Sequence, residues 1–131
     1  MKDYDKAITL LSEIKKDEIL EEYPNVKARI IDNLGYAKWL KNNNENVLED
    51  YNEAIKIFSE NKDYFGLSTV YDHLFEYYKT TDPQKALEYA YKKIDITQQS
   101  NNTEGQLNAL KRIIVLKPNQ THIENYIALS D

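Results

Sequence analysis

The chain has no cysteine, and only three glycines and three prolines among its 131 residues. The missing cysteine excludes a disulfide frame, a thiolate metal site and a cysteine nucleophile. So few glycines and prolines leave little turn-forming capacity for a many-stranded β fold. No apolar run approaches the roughly 20 residues needed to span a bilayer, and MKDYDKAITLL at the N-terminus lacks a signal-peptide hydrophobic region. A soluble chain without membrane contact is the expectation. Cationic excess is lacking too. Seventeen Lys and Arg against 22 Asp and Glu give a net charge of −5, with the basic residues scattered. That pattern does not suit nucleic acid, whose phosphates demand a basic face.

What remains is a composition of 41% hydrophobic and 30% charged residues, which is too apolar for disorder and long enough for one core. Its order is repetitive. DYDKAITLL (3–11), NNENVLEDY (43–51) and DPQKALEYA (82–90) share a cap-forming Asp or Asn and a small or β-branched slot residue at Ala7, Val47 and Ala86. Asp3, Asn43 and Asp82 are predicted N-caps, and Pro83 fits the first helical position. Between these segments, NVKARIIDNLGYAKWLK (25–41), YFGLSTVYDHLFEYYK (64–79) and TEGQLNALKRIIVLK (103–117) align with Leu34 over Leu74 and Gly66 over Gly105. Thr103 and Gln106 have the form of a capping box. The spacing predicts seven helices at about 3–15, 24–42, 44–61, 63–79, 82–100, 103–117 and 119–130, antiparallel because their connections are short.

Motifs for chemistry are missing. His73 and His122 lie far apart in sequence, and Asp72 and His73, as helical neighbours, point about 100° apart. No nucleophile elbow, phosphate loop or zinc-binding helix is present. Acidic pairs such as Glu21-Glu22 and Glu49-Asp50 read as solvated helix surface. No catalytic residue, metal or cofactor is expected. Tyrosine, with eleven copies, is the compositional outlier. Most of them fall where aromatic residues fill the space between paired helices, whereas Tyr36 and Trp39 lie off the apolar stripe and suit a ligand or interface surface.

Ile31, Leu34-Gly35, Val47, Tyr51 and Ala54, and again Leu74, Tyr77, Tyr78, Asp82, Ala86 and Leu87, resemble the tetratricopeptide repeat. The period of 39 to 40 residues resembles long-period members found in bacterial sensor kinases and regulators. Phe75 stands where Gly35 aligns, and Lys93 stands where a small residue is expected. The resemblance implies an all-α fold of antiparallel helix–turn–helix repeats in a right-handed superhelix. Residues 1–131 then form one domain, with an incomplete repeat at 1–23, repeats at 24–62 and 63–101, and an atypical capping repeat at 102–131. It implies a tightly packed slot at Gly35.

By the same resemblance the function is a non-enzymatic scaffold that holds a peptide or partner domain in a concave groove, as part of a larger bacterial signal-transduction protein. Its compartment would be the cytoplasm or the extracytoplasmic side of a membrane-anchored regulator. The groove candidates are Arg29, Asp32, Asn33 and Tyr36, then Thr69, Asp72, His73 and Glu76, then Asn108, Lys111 and Arg112. Asn33 and Arg112 partly match the family's carboxylate-binding groove in type. Asp72 and Glu76 would oppose a carboxylate, so that specificity is not carried over. The alternative function is homodimerisation through an exposed face of the terminal repeat.

Overall fold

A computed structural model describes residues 3–131. Seven α-helices occur among them: α1 Tyr4–Lys15, α2 Pro24–Lys41, α3 Leu48–Glu60, α4 Tyr64–Tyr78, α5 Pro83–Gln99, α6 Thr103–Leu116 and α7 Gln120–Ser130. A short 3₁₀ helix, Glu18–Glu22, lies between α1 and α2, and no strand is present in the described residues. The fold is all-α, as the scarcity of turn residues and the 3.6-residue periodicity require.

Side-chain caps start most of these helices. Asp3, Asp63, Asp82, Asn102 and Asn119 each accept a hydrogen bond from the backbone N–H three residues on, at 2.9–3.2 Å. Such caps satisfy amides that have no partner within the helix and contribute about 1 kcal/mol each. The cap of α6 is therefore Asn102 and not Thr103. The beginning of α3 also departs from the sequence pattern, since it starts at Leu48 with Val47, not Asn43, in the cap position. The asparagine run is the cause. Asn42 Oδ1 accepts from Asn44 N–H, and Asn46 Oδ1 accepts from Leu48 N–H, both at 3.1 Å. Side chains that bond to nearby backbone in this way compete with the first helical turn.

Two connections are built alike. After α3, Lys62 adopts φ 53°, and after α5, Asn101 adopts φ 54°. Asp63 N–H donates to Phe58 O at 2.9 Å and Asn102 N–H to Thr97 O at 2.8 Å, while Lys62 N–H and Asn101 N–H each reach the carbonyl three residues back. These are Schellman closures with a left-handed residue just past the helix end. In both, the residue after the left-handed one closes the old helix and caps the new one.

The chain divides into two compact units, one running to Val70 and the other from Tyr71 to Asp131. In the first, α1 packs on α2 and α2 on α3; in the second, α5 packs on α6 and α6 on α7. The buried side chains of the first unit include Ala28, Ile31, Leu34, Val47, Tyr51, Ala54 and Phe58. The second buries Phe75, Ala86, Leu87, Ala90 and Ile113 in one cluster, with Tyr78, Ile94 and Leu116 partly buried against it.

Aligned positions in the two units exchange volume. A Cβ on Gly35 would lie 3.2 Å from Tyr51 Cε1 and 3.2 Å from Asp50 Cβ. One repeat later the same two slots hold Phe75 and Ala90, so a small–large pair becomes a large–small pair. A second exchange is chemical. Lys38 and Asp50 form an ion pair at 3.4 Å, and the positions aligned with them, Tyr78 and Tyr89, stack with centroids 6.0 Å apart and planes 5° from parallel. The tightest helix approaches are not at Gly35. A Cβ on Gly66 would meet the Phe58 ring at 2.4 Å, and one on Gly105 would meet Thr97 Cγ2 at 2.6 Å.

Candidate functional site

The second unit carries a cleft of about 450 Å³ bordered by α4, α5 and α6. Its centre is Asp72. Lys93 Nζ donates to Asp72 Oδ1 at 2.7 Å and to Oδ2 at 2.8 Å, and Arg112 Nη1 donates to Oδ1 at 3.1 Å. Arg112 extends further, with Nη2 3.6 Å from Glu76 Oε1 and its guanidinium 4.9 Å from the Phe75 ring centroid. Lys79 completes the chain of charges at 2.7 Å from Glu76 Oε2.

Local structure explains why these groups meet. Asp72 and Glu76 occur at i and i+4 of α4, which places them on one helical face, and Lys79 follows directly after the last residue of that helix, its N–H still bonded to Phe75 O at 2.9 Å. Lys93 lies nearly three turns into α5, and Arg112 lies on α6. The lysine is only 4% exposed, and the bidentate contact with the Asp72 carboxylate offsets the cost of burying its ammonium. The residue that breaks the small-residue pattern of its helix is therefore the buried cation that fixes Asp72.

Two further cleft side chains, Asn108 and Lys111, are exposed on α6. Lys111 has no ion-pair partner among the described residues. Phe75, Val115 and Leu116 supply apolar surface. Lys79, Lys93, Lys111 and Arg112 face Asp72 and Glu76 here, an excess of two positive charges in an acidic chain. Both carboxylates are already held by cations, so the cleft presents Lys111 and Asn108 to a visitor.

Of the groove candidates, Asp72, Glu76, Asn108, Lys111 and Arg112 are thus brought together. His73 is half-buried on α4 and does not line this cleft. In the first unit, Arg29, Asp32, Asn33 and Thr69 border a smaller hollow of about 180 Å³. There Arg29 lies over the Phe65 ring, 5.8 Å from its centroid, and 3.9 Å from Asp63, while Thr69 Oγ1 donates to Phe65 O at 3.2 Å. Tyr36 lies outside that hollow and stacks on Trp39 with centroids 6.2 Å apart.

The sequence pattern did not single out Lys93 and Lys79 for the cleft, nor the pairing of Tyr91 Oη with His122 Nε2 at 3.1 Å. The available signal for Lys93 was its misfit in a slot for small residues. Tyrosines are concentrated on α4 and α5, where Tyr71, Tyr89, Tyr78 and Tyr77 form a continuous contact series with centroids 4.9–6.0 Å apart. Burial raises the pKa of Tyr71, Tyr78 and Tyr89, with a neighbouring tyrosine adding to each shift. Among the described residues, no three His, Asp or Glu side chains are placed to hold a metal ion, and no helix is long and apolar enough to cross a membrane. Comparison with protein-family models, curated proteins and solved structures returned no match.

Proposed function

We propose that the protein is a non-enzymatic interaction module of tetratricopeptide-like type that binds an extended peptide segment of a protein partner at the α4–α6 cleft. The observation that carries this reading is the preorganised network of Asp72, Lys93 and Arg112, beside which Lys111 and Asn108 stand exposed. A rigid wall with exposed hydrogen-bonding side chains and an apolar floor suits peptide recognition, because little ordering cost remains to be met on binding. The surplus of positive charge favours a segment with an acidic side chain near Lys111, since Asp72 and Glu76 are already neutralised. Peptides selected from a random library against the full chain should carry that acidic residue. They should bind at least about tenfold more weakly to Lys111→Glu, while thermal unfolding of the variant stays unchanged. Selected peptides that are indifferent to both Lys111→Glu and Asn108→Trp would remove the proposal.

A second reading, self-association, draws on the first unit. Leu10, Ile19 and Tyr23 are 58%, 56% and 54% exposed, and Ile14 and Val26 are exposed as well. Light scattering over a concentration series tests it: a constant monomer mass excludes self-association, and a mass that falls in Leu10→Lys supports it.

A further inference from the structure

A second cleft, independent of the first, lies among α5, α6 and α7, with a volume of about 480 Å³. That size falls within the range of small-molecule sites. Its base is apolar, with Ile94 from α5, Leu110 from α6 and Leu129 from α7. Its polar groups are Gln98, Gln106, Asn125, His122 and the Tyr91 hydroxyl, and among the described residues no Asp, Glu, Lys or Arg lines it. In a chain with 30% charged residues, this lining selects against ions, because a charge placed there would lose water without gaining a counter-ion. Carboxamides both donate and accept, so they match a neutral group that does the same.

Two further observations point to an occupant. His122 Nε2 is engaged by Tyr91 Oη at 3.1 Å, yet Nδ1 is shielded from solvent without any hydrogen-bond partner. A native structure seldom leaves such an atom unsatisfied. The helix that carries it, α7, has no buried residue and keeps Ile127 55% exposed. A helix so lightly seated on α6 can shift by a fraction of a turn and offer Nδ1 to a molecule in the cleft.

We propose that this cleft binds an uncharged small molecule with an apolar ring or branched body and an amide-like donor–acceptor group, and that its occupant steadies α7. The test uses N-acetyl-L-tyrosinamide as the neutral probe and N-acetyl-L-tyrosine, which differs by a carboxylate, as its charged counterpart. With the isotope-labelled full chain, the amide should shift the side-chain resonances of Gln98, Gln106 and Asn125 saturably, with a Kd on the order of 1 mM for so small a probe. It should also slow amide hydrogen exchange in α7. The carboxylate should bind at least about tenfold more weakly. Asn125 is exposed, so Asn125→Trp should keep the helical circular dichroism, fill the cleft and abolish the shifts. Gln106→Glu should weaken binding of the amide. Non-saturating shifts, equal binding of the two probes, shifts confined to other residues, or binding that survives both variants would each overturn the proposal.

Discussion

The volume exchange between Gly35/Tyr51 and Phe75/Ala90 makes a quantitative prediction. Gly35→Phe alone drives a ring into space already filled by Tyr51, whose Cε1 lies 3.2 Å from where even a Cβ would be. Overpacking of this kind costs about 1–3 kcal/mol and often more. Tyr51 is fully buried, and Tyr51→Ala alone should cost about 3–5 kcal/mol through the cavity it leaves. Combined, the two substitutions recreate the pairing of the second unit, and the large ring occupies the space vacated by the tyrosine. The double variant should then recover at least about 2 kcal/mol relative to the sum of the single variants. Trp39 is the only tryptophan and lies on α2 with Gly35, so its fluorescence in a urea titration reports on the affected helix. Purely additive costs would refute the idea that these two slots compensate each other. Gly35→Ala provides a lower bound, because its gain in helix propensity of about 1 kcal/mol offsets a contact that needs only a few tenths of an ångström of relief.

Gly66→Ala should behave differently, losing at least about 2 kcal/mol in the same titration, since its Cβ would fall 2.4 Å from the Phe58 ring. Lys93→Ala should cost about 2 kcal/mol by chemical denaturation. This is less than a fully buried pair would lose, because Asp72 is 30% exposed and keeps Arg112. For Tyr71, Tyr78 and Tyr89 the folded state holds the pKa above the ordinary 10.0, chiefly through burial. Their contribution to stability is therefore intact below pH 10.0 and lost as pH rises through the raised values. Phenolate absorbance should show a late-titrating group of tyrosines that moves back toward 10.0 in urea.

Much of the fold was legible because its determinants are local. Asp3 and Asp82 cap helices as read, and Pro24 and Pro83 occupy the first turns of α2 and α5. Val47 and Ala86, one repeat apart, are both buried. The start of α3 was not legible, since the competing bonds of Asn42 and Asn46 depend on how the chain turns before the helix. The repeat pattern marks Gly35, yet Gly66 and Gly105 have the closer neighbours, because which side chain lies over a glycine is set by the adjoining helix. For the cleft, helical spacing alone places Asp72 with Glu76 and Asn108 with Lys111 and Arg112. Lys93 is 21 residues from the aspartate it holds, so no local pattern could assign it a partner.

The matched turns after α3 and α5 bear on how such a chain can grow. Both are closed by backbone hydrogen bonds at the same offsets, and Asp63 and Asn102 carry out the same two tasks. A cut between Lys62 and Asp63 and another between Asn101 and Asn102 therefore bound a cassette whose two ends are interchangeable. Copying residues 63–101 in tandem would leave every junction with its closing bonds and its cap. Lengthening by unequal recombination would then require no new turn, only a surface on the inserted copy able to accept its neighbour.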